Sequence, residues 1–413
     1  MTRDLLFLSH RIPYPPDKGD KIRAWHMFRQ LARTHRMHVG CFADDPADHV
    51  HIATLRAQCA DLHCVQIDRT RQRLLSLARV RPGVPLTLGY FADAGLRAWT
   101  AAKLASGIGH AFVYCSAMAP YLMDAAGVRR VLDMVDVDSA KWRDYAARAA
   151  WPARLVWARE ARTLLGFERR AAAAFDRTLF VSQAEAAEFR RLAPEAGARV
   201  GWCDNGVDLD GFSPARNFAS PYPEGGRTIA VQDVVFIGTM DYWPNVDAVA
   251  WFVAAVLPAL RQRCPAARLT IVGANPSPAV RRLARADAVT VTGRVADVRP
   301  YLQHAALVVA PLRIARGTQN KVLEAMAMGR PVVASAQAFA GLRAVAGRDL
   351  LVADSAPAFA DRCADVLGGR HPGLGAAARA AVVAGYDWDA TLAGLDALLD
   401  GAPPLSALAG ALP

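Results

Sequence analysis

The chain has 413 residues, of which 53% are hydrophobic and 21% charged, and this composition excludes a disordered or low-complexity polymer. Its length predicts two domains, because a single core of this size would be unusual. Charged residues or prolines interrupt its apolar stretches, and no small-residue cleavage site follows the start. We therefore expect neither a membrane-spanning helix nor a signal peptide, and a cytoplasmic protein.

The cysteines and the charge exclude some classes and favour others. Seven scattered cysteines without metal-ligand spacing predict reduced thiols. The net charge is +11, and residues 1–203 carry 30 Lys and Arg against 20 Asp and Glu, whereas the remainder carries 19 against 18. This bias suggests that the first half faces an anionic membrane, a phosphorylated lipid or nucleic acid. The alternative is that the arginines only solvate the helices of that half.

Short apolar runs alternate with helix-like stretches in the first half. A helix is predicted over 21–34, and strands are predicted over 5–8, 37–41, 64–67, 111–114, 131–134 and 178–181. Buried strands that alternate with helices indicate a parallel sheet covered on both faces. Residues 1–203 are therefore predicted to form an N-terminal Rossmann-like domain with an α/β fold.

A change of composition marks the domain boundary. Asn205-Gly206 supplies turn geometry, and Pro and Gly without periodicity continue to Gly226, so residues 204–226 are predicted to be an interdomain linker. Helices are then predicted over 246–263 and 318–328, and strands over 234–237, 269–272, 289–292, 307–310 and 331–334. This pattern predicts a second Rossmann-like domain over 227–384. A C-terminal helix, at 388–399, and a tail would follow over 385–413.

The stretch 310–331 joins a strand to a helix through a loop that contains Gly317 and ends near Thr318. At such a junction in an open α/β sheet, free N–H groups and the helix dipole favour a phosphate. Lys321 adds a positive charge one turn into the helix. Glu324 lies on the same helix face, where its carboxylate can accept hydrogen bonds from ribose hydroxyls. The alternative is a Glu–Lys pair on the surface of an ordinary amphipathic helix.

This stretch resembles the donor-site signature of the family 4 glycosyltransferases, which have the GT-B fold. The matching residues are Leu323-Glu324-Ala325-Met326-Ala327 and Gly329-Arg330-Pro331-Val332-Val333. Asn205-Gly206-Val207-Asp208 resembles the interdomain segment of the family, and Pro15-Pro16-Asp17-Lys18-Gly19-Asp20 resembles its glycine loop. The resemblance covers nearly the whole chain, and it implies two tandem Rossmann-like domains with a central interdomain cleft.

The resemblance implies a retaining glycosyltransferase that needs no metal. Its donor would be a nucleotide-diphospho-sugar, UDP- or GDP-linked, and its acceptor a saccharide or a lipid-linked saccharide. Electrostatic stabilisation of the leaving diphosphate would drive the reaction. The expected donor-binding residues are Glu324, Lys321, Arg316, Gly317, Thr318, Gly238, Thr239, Arg294 and Val295, with the base near Gly293. On the acceptor or phosphate side we expect Gly19, Asp20, Ser116 and Asp136.

Three segments resemble more narrowly the sugar transferases of bacterial exosortase (PEP-CTERM) systems, and this resemblance implies exopolysaccharide biosynthesis. They are residues 11–21, 133–139 and 238–245. The Asp136-Val137-Asp138 sequence matches the Asp-x-Asp pattern of a metal site. Because it lies in the first domain, away from the expected donor, we predict no metal role for it.

The chain departs from the family pattern in three places. Arg316 stands where the family often has the first Glu of a Glu-x7-Glu pair, and Gly238-Thr239-Met240-Asp241 stands where Arg and Lys commonly reach the diphosphate. Tyr114-Cys115-Ser116 stands where a histidine is often found. Lys321 and Arg316 are therefore expected to balance the charge of the diphosphate, and the sequence indicates no catalytic base.

A basic and aromatic segment of the first half predicts peripheral membrane contact. It would seat a helix on anionic headgroups, beside a polyprenyl-diphosphate-linked acceptor at the inner membrane face. The tryptophans are Trp142, Trp151 and Trp157, and the arginines are Arg143, Arg148, Arg154, Arg159, Arg162, Arg169 and Arg170. The alternative is a solvated helical face.

Other functions of the same architecture stay open at this point. A nucleotide-sugar epimerase would turn over the donor without an acceptor, and a non-catalytic subunit would bind the donor without transfer. A dehydrogenase is disfavoured because Gly107-Ile108-Gly109 precedes a strand and lacks the third glycine of the fingerprint. No nucleic-acid-binding module is recognisable in the sequence, so we predict no nucleic-acid partner.

Overall fold

The computed structural model describes residues 3–78, 81–222 and 232–403, and these residues form two compact units. The first unit contains the described residues up to Asp204 and those from Thr391 onward, and the second contains Asn205–Ala390. Each unit is built on one parallel β-sheet with helices between successive strands. The predicted fold class, two Rossmann-like α/β domains followed by C-terminal helices, is confirmed.

The sheet of the first unit has seven strands in the order β3-β2-β1-β4-β5-β6-β7. Their bounds are Arg3–Ser9 (β1), His35–Ala43 (β2), Asp61–Gln66 (β3), His110–Tyr114 (β4), Arg129–Val135 (β5), Arg177–Phe180 (β6) and Val200–Trp202 (β7). All neighbouring strands pair in parallel. The centre of β1 is fully buried, as expected where helices cover both faces of a parallel sheet.

The helices of the first unit connect these strands. Their bounds are Gly19–Leu31 (α1), Ile52–Arg56 (α2), Arg69–Ala78 (α3), Leu86–Tyr90 (α4), Ala94–Ala105 (α5), Asp138–Arg148 (α6), Ala153–Ala174 (α7) and Gln183–Leu192 (α8). Short 3₁₀ turns cover Pro46–His51, Ser116–Tyr121 and Pro194–Arg199. Asp93 and Ser182 cap α5 and α8 by accepting backbone N–H bonds, which satisfies donors that a helix start leaves free.

The sheet of the second unit has six parallel strands in the order β10-β9-β8-β11-β12-β13. Their bounds are Gln232–Ile237 (β8), Ala267–Val272 (β9), Val289–Val291 (β10), Leu307–Ala310 (β11), Val332–Ala334 (β12) and Leu351–Val352 (β13). The helices are Trp243–Trp251 (α9), Leu257–Arg263 (α10), Pro278–Arg281 (α11), Arg299–Gln303 (α12), Asn320–Ala327 (α13), Ala336–Phe339 (α14), Ala356–Leu367 (α15) and Leu374–Gly385 (α16). Two short helices, Trp388–Leu392 (α17) and Leu395–Leu399 (α18), follow.

A continuous helical run extends from Trp243 to Arg263, because the π-helical segment Phe252–Val256 joins α9 to α10. Among the described residues, it is the one helix that is long and apolar enough, by length and composition, to cross a membrane. Half of its most apolar stretch is buried inside the structure. Val249 and Leu260 lie in the hydrophobic core of the second unit. The run therefore serves as a core helix of this unit.

The segment predicted as a linker packs into the second unit where it is described. The Val207 N–H donates to the carbonyl oxygen of Tyr386 at 2.8 Å. A Cβ atom at Gly206 would lie 2.6 Å from the Trp388 ring, so only glycine allows this close approach. Residues 223–226 of the predicted linker lie outside the described residues.

The predicted C-terminal helix over 388–399 is wrong as one element, since it is divided into α17 and α18. Gly394 stands at the break, where its low helix propensity favours an interruption. From Thr391 onward the chain belongs to the first unit, in which Leu395 and Leu398 are fully buried. Residues 404–413 of the predicted tail lie outside the described residues. All seven cysteines are free.

Candidate functional site

The second unit has a topological switch point between β8 and β11. β9 and β10 extend the sheet on one side of β8, and β12 and β13 extend it on the other side of β11. Ligands bind at the carboxyl ends of the strands at such a point in open α/β sheets. Gly238 directly follows β8, and the loop after β11 leads into α13.

Backbone groups of three loops pack together at this edge. A Cβ atom at Gly273, after β9, would lie 1.7 Å from the carbonyl oxygen of Gly238, so the two backbones meet where no side chain fits. The Gly273 N–H donates to the carbonyl oxygen of Gly293, after β10, at 3.3 Å. The loops that follow β8, β9 and β10 are therefore held against one another.

Lys321 is the central cation of this edge. Its Nζ donates to Asn245 Oδ1 at 2.6 Å and lies 4.6 Å from the centre of the Phe236 ring, within cation–π distance. Asn245 is buried, and its Nδ2 donates to the carbonyl oxygen of Thr239 at 3.0 Å. A Cβ atom at Gly238 would lie only 3.2 Å from Lys321 Nζ, so the ammonium group stands directly over that backbone.

Lys321 and Glu324 have pKa values shifted towards each other. Burial lowers the pKa of Lys321 to about 7, although the Glu324 carboxylate acts in the opposite direction. Burial also raises the pKa of Glu324 to about 7, against the effect of the Lys321 ammonium. A buried cation with a lowered pKa gains from an anion that compensates its charge. The pair therefore favours a ligand with a negative group beside Lys321.

The amino end of α13 adds backbone donors. No side chain caps the helix at Gln319, so the dipole and the first N–H groups remain available to an anion. Gly317 has a φ of 61°, a left-handed conformation that favours glycine. A Cβ atom at Gly341 would lie 2.2 Å from the Gly317 carbonyl oxygen, and Thr318 Oγ1 donates to the Gly341 carbonyl at 3.2 Å. These contacts hold the loop that precedes the helix.

Six of the predicted donor residues lie at this edge of the sheet or on the approach to α13, and the other three lie on the neighbouring loops. Lys321, Glu324, Gly238 and Thr239 share one edge of the sheet, and Gly317 and Thr318 form the approach to α13. Arg316 is half-buried, and its carbonyl accepts from Gln319 Nε2 at 2.9 Å. Arg294 is exposed on the loop after β10, and Val295 packs partly against the core.

The first unit has its own switch point, between β1 and β4. His10 follows β1, and its N–H donates to the Tyr114 carbonyl oxygen at 3.1 Å. Its ring stacks on Tyr114 and meets the edge of Phe91. Ser116, predicted for the acceptor or phosphate side, is buried at the start of the 3₁₀ turn that follows β4.

Asp20 stands between two cations at this edge. Its carboxylate lies 2.5 Å from Arg11 Nη1 and 3.4 Å from His10 Nε2. Burial alone would raise the pKa of Asp20, but His10 and Arg11 hold it well below its usual range. Burial alone would lower the pKa of His10, but the Cys115 sulfur and the Asp20 carboxylate raise it to about 9. Asp20 and His10 are therefore a charged pair at neutral pH.

Two lysines near the start of α1 form ion pairs within the first unit. Lys18 pairs with Asp45 at 3.2 Å, and the fully buried Lys21 pairs with Asp48 at 2.7 Å. Both carboxylates come from the segment after β2. Gly19 is the first residue of α1. The sequence analysis linked the excess positive charge of residues 1–203 to an anionic partner. These two ion pairs neutralise part of that charge within the unit itself.

Asp136 follows β5 and has an unusual environment. Burial, and then the charge of Glu185, raise its pKa to about 7, and its Oδ1 forms no hydrogen bond with the described residues. Glu185 Oε2 accepts from the Val137 N–H at 2.7 Å. In the described part of the chain no group of three or more His, Cys, Asp or Glu side chains is arranged to hold a metal ion.

Asn245 and His10 are site residues that the sequence reasoning missed. Asn245 closes the Gly238-Thr239-Met240-Asp241-Tyr242-Trp243-Pro244-Asn245 segment, which the resemblance singled out without giving this side chain a role. His10 directly follows the first predicted strand. Because ligands bind at the carboxyl ends of strands in open α/β sheets, this position could have indicated a site residue. Neither contact could be inferred from spacing along the chain.

Comparisons with known proteins agree with this architecture. Residues 231–368 match the model of the family "Glycosyl transferases group 1". No curated protein matches the chain. Among solved structures, the sucrose-phosphate synthase of Thermosynechococcus elongatus is 20% identical, with 96% of this chain and 98% of that chain covered and a TM-score of 0.70. These structural similarities show the fold.

Two further structures have the same fold. HepE of Anabaena in complex with UDP is 15% identical, with 97% and 100% of the two chains covered and a TM-score of 0.65. WaaG, a glycosyltransferase involved in lipopolysaccharide biosynthesis, is 16% identical, with 95% and 99% covered and a TM-score of 0.62. The segment that matches the family model lies within the second unit, so the similarity to group 1 glycosyltransferases concerns this unit. The chain as a whole has the two-domain GT-B fold of these structures.

Proposed function

We propose that this protein is a glycosyltransferase that moves a sugar from a UDP-linked donor to a saccharide or lipid-linked acceptor. The observation that carries the proposal is the group formed by Lys321, Asn245 and Glu324 at the switch point of the matched domain. A compact cation beside an uncapped helix start suits a diphosphate, and a carboxylate on the same helix face suits a ribose. The Anabaena relative, by its description, binds UDP and UDP-glucose.

The chemistry follows from charge that develops during transfer. As the bond between sugar and diphosphate breaks, negative charge grows on the leaving group while the sugar becomes oxocarbenium-like. Lys321 and the N–H groups at the start of α13 would stabilise that charge, and they act strongly because the site is partly buried. We propose that transfer retains the anomeric configuration and requires no metal, as the family resemblance implies.

We assign the acceptor to the first unit. His10, Ser116 and Asp136 lie at the carboxyl ends of its strands, and the raised pKa of Asp136 keeps part of its population protonated near neutral pH. A group that is half-protonated can exchange a proton with a sugar hydroxyl. We place the reaction in the cytoplasm, at the inner membrane face, in exopolysaccharide biosynthesis. The narrower link to exosortase systems rests on sequence motifs and stays a prediction.

Nucleotide binding provides the first test. Thermal unfolding is measured with UDP, GDP or ADP, each with EDTA, for the wild type, Lys321→Ala and Glu324→Ala. We expect stabilisation by UDP that persists with EDTA and is lost in both variants, because a ligand stabilises the state that binds it. Arg370→Gln, which removes an exposed cation of the same unit, is the matched control and should keep the shift.

A transfer assay separates the remaining alternatives. Incubation with a UDP-sugar and membrane extract should release UDP only when an acceptor is present. Turnover of the donor without acceptor would instead indicate an epimerase. Binding without any turnover would indicate a donor-binding subunit, and absence of nucleotide binding would contradict the proposal as a whole.

A further inference from the structure

One face of α7 combines exposed apolar residues with arginines. Trp151, just before the helix, and Leu155, in its first turn, are 79% and 61% exposed. Side chains three or four residues apart share a helix face. From Leu155 the same face continues through Arg159, Arg162, Gly166 and Arg170. The apolar end of the face is therefore followed directly by a basic stretch.

The basic stretch borders a groove of about 480 Å³. Arg159, Arg162 and Arg170 line it, together with the Thr163 hydroxyl, and none of the described residues that line it is acidic. Gly83 and Gly166 leave space between the guanidinium groups. Planar guanidinium groups are donors that match the oxygens of a phosphate, whereas the Thr163 hydroxyl already donates to the Arg159 carbonyl oxygen at 3.0 Å.

Buried contacts hold the second wall of the groove against α7. Arg159 Nη2 donates to the carbonyl oxygens of Arg81 at 2.9 Å and Val84 at 3.1 Å. Glu160, which is only 2% exposed, accepts from the backbone N–H of Leu86 at 2.8 Å. Arg159 Nη1 is buried and forms no hydrogen bond with any described residue. It lies 3.8 Å from Glu160 Oε2, so this guanidinium has a counter-charge and the groove is a formed feature of the unit.

Two of the three arginines at the groove have no partner among the described residues. Arg162 and Arg170 are exposed, and neither makes a hydrogen bond or ion pair within the part of the chain that the structure describes. In contrast, Arg169 pairs with Glu195 at 2.6 Å, and Arg143 pairs with Glu188 at 2.8 Å. Positive charge without compensation is therefore concentrated at the groove.

Exposed apolar residues surround this region. Among the described residues of the first unit, the large exposed apolar side chains other than Val50 are Leu74, Leu75, Val84, Trp151, Leu155 and Val156. They lie on α3, on the loop over 82–85 and at the turn into α7. Gln72 of α3 donates to the carbonyl of Tyr90 in α4, and Glu160 holds the start of α4, so these elements are joined. Basic residues beside apolar ones are typical of a surface that meets lipid headgroups.

We propose that the groove binds the phosphate of a membrane lipid, with Trp151 and Leu155 inserted at the headgroup level. The proposal deepens the proposed function, since it rests on a lipid-linked acceptor and gives the membrane that carries this acceptor a binding site on α7. It assigns separate tasks to the arginines named in the sequence. Arg162 and Arg170 contact the phosphate, Arg159 builds the groove, and Arg143 and Arg169 form structural pairs.

Vesicle flotation of the full chain tests the proposal. The vesicles are phosphatidylcholine alone, or phosphatidylcholine with phosphatidic acid. The variant is Arg162→Gln with Arg170→Gln, and the control is Arg169→Gln with Arg191→Gln, which removes the same charge from exposed positions in the same unit. We expect binding to phosphatidic acid vesicles to fall about 10-fold or more in the variant and clearly less in the control, because each basic group at the surface contributes to binding.

Three results would overturn the lipid site. They are binding of the variant at the wild-type level, equal losses in variant and control, and binding of soluble pyrophosphate by the wild type without any preference for phosphatidic acid vesicles. The last result would assign the groove to a soluble phosphate. Stabilisation by UDP is measured on the same samples. Retained UDP binding with lost lipid binding separates failure at the groove from failure of the proposed function.

Discussion

Lys321 Nζ lies 2.6 Å from Asn245 Oδ1, and the two residues stand on helices that follow different strands at the switch point of the second unit. The amide oxygen holds the ammonium over Gly238 and beside Phe236. The cation is therefore already positioned where an incoming diphosphate would meet the backbone of the β8 loop. Preorganisation of this kind reduces the cost of ordering a long, flexible side chain on binding.

Replacement of Asn245 by alanine should weaken nucleotide binding without abolishing it. Lys321 would lose its positioning hydrogen bond and the Thr239 carbonyl would lose a donor, so we expect about 10-fold weaker UDP binding and a loss of about 1–2 kcal/mol in unfolding free energy. Calorimetric titration and urea denaturation measure the two effects. UDP affinity equal to that of the wild type would show that Asn245 does not position the lysine.

UDP affinity should fall as the pH rises through the pKa of Lys321. That pKa is lowered to about 7, so the ammonium is charged below this value and neutral above it. We expect several-fold weaker binding at about pH 8.5 than at about pH 7. Lys321→Arg, whose guanidinium stays charged, should lose clearly less affinity over the same range, and its remaining loss comes from ionisation of Glu324, whose pKa is also about 7. Equal pH profiles of the two proteins would exclude Lys321 as the titrating group.

Stability should decrease as the pH rises through the pKa of His10. Folding raises this pKa to about 9, above the unfolded value of about 6.5, so the contribution is complete below the lower value and is lost as the pH passes the higher one. We expect the wild type to lose up to about 3 kcal/mol between these limits relative to His10→Gln. Urea denaturation at several pH values measures the difference. Parallel curves for the two proteins would contradict the assignment.

The buried ion pair between Arg23 and Asp133 should be needed for folding of the first unit. Arg23 Nε lies 2.7 Å from Asp133 Oδ2, Arg23 Nη1 donates to the Cys203 carbonyl at 2.8 Å, and both side chains are fully buried. Asp133→Asn would leave a buried guanidinium without its counter-charge, at a cost of about 3–5 kcal/mol. Thermal unfolding measures it. A loss below about 1 kcal/mol would mean that water compensates the charge.

Gly206→Ala should destabilise the second unit. The added Cβ would lie 2.6 Å from the Trp388 ring and 2.8 Å from the Trp388 Cα, and a backbone contact of this kind cannot relax by a rotamer change. We expect a loss of about 1–3 kcal/mol from overpacking, while Gly109→Ala, where nothing lies within 4 Å, should have little effect. Similar stability of the two variants would show that the α17 segment moves aside readily.

Local patterns in the sequence were sufficient for most of the fold. Apolar runs predict the strands that are fully covered by helices, because burial on both faces of a parallel sheet requires continuous hydrophobic residues. β7 and β13 were not predicted, since a glycine interrupts the apolar residues of β7 and β13 has only two residues. The division of the C-terminal helix at Gly394 depended on where the chain re-enters the first unit.

The sequence by itself determined that Lys321 and Glu324 share one face of a helix after a buried strand, because helical periodicity relates residues three apart. Only the tertiary structure brought Asn245 to Lys321, since sheet order places the helices after β8 and β11 at the same edge. The contact between Asp20 and His10 depended on how the connection from β1 to α1 folds back. The tertiary structure also lowered the pKa of Lys321, because burial depends on everything packed around a group. Chemistry that arises from position along one element could be predicted, whereas chemistry that arises from the packing of several elements could not.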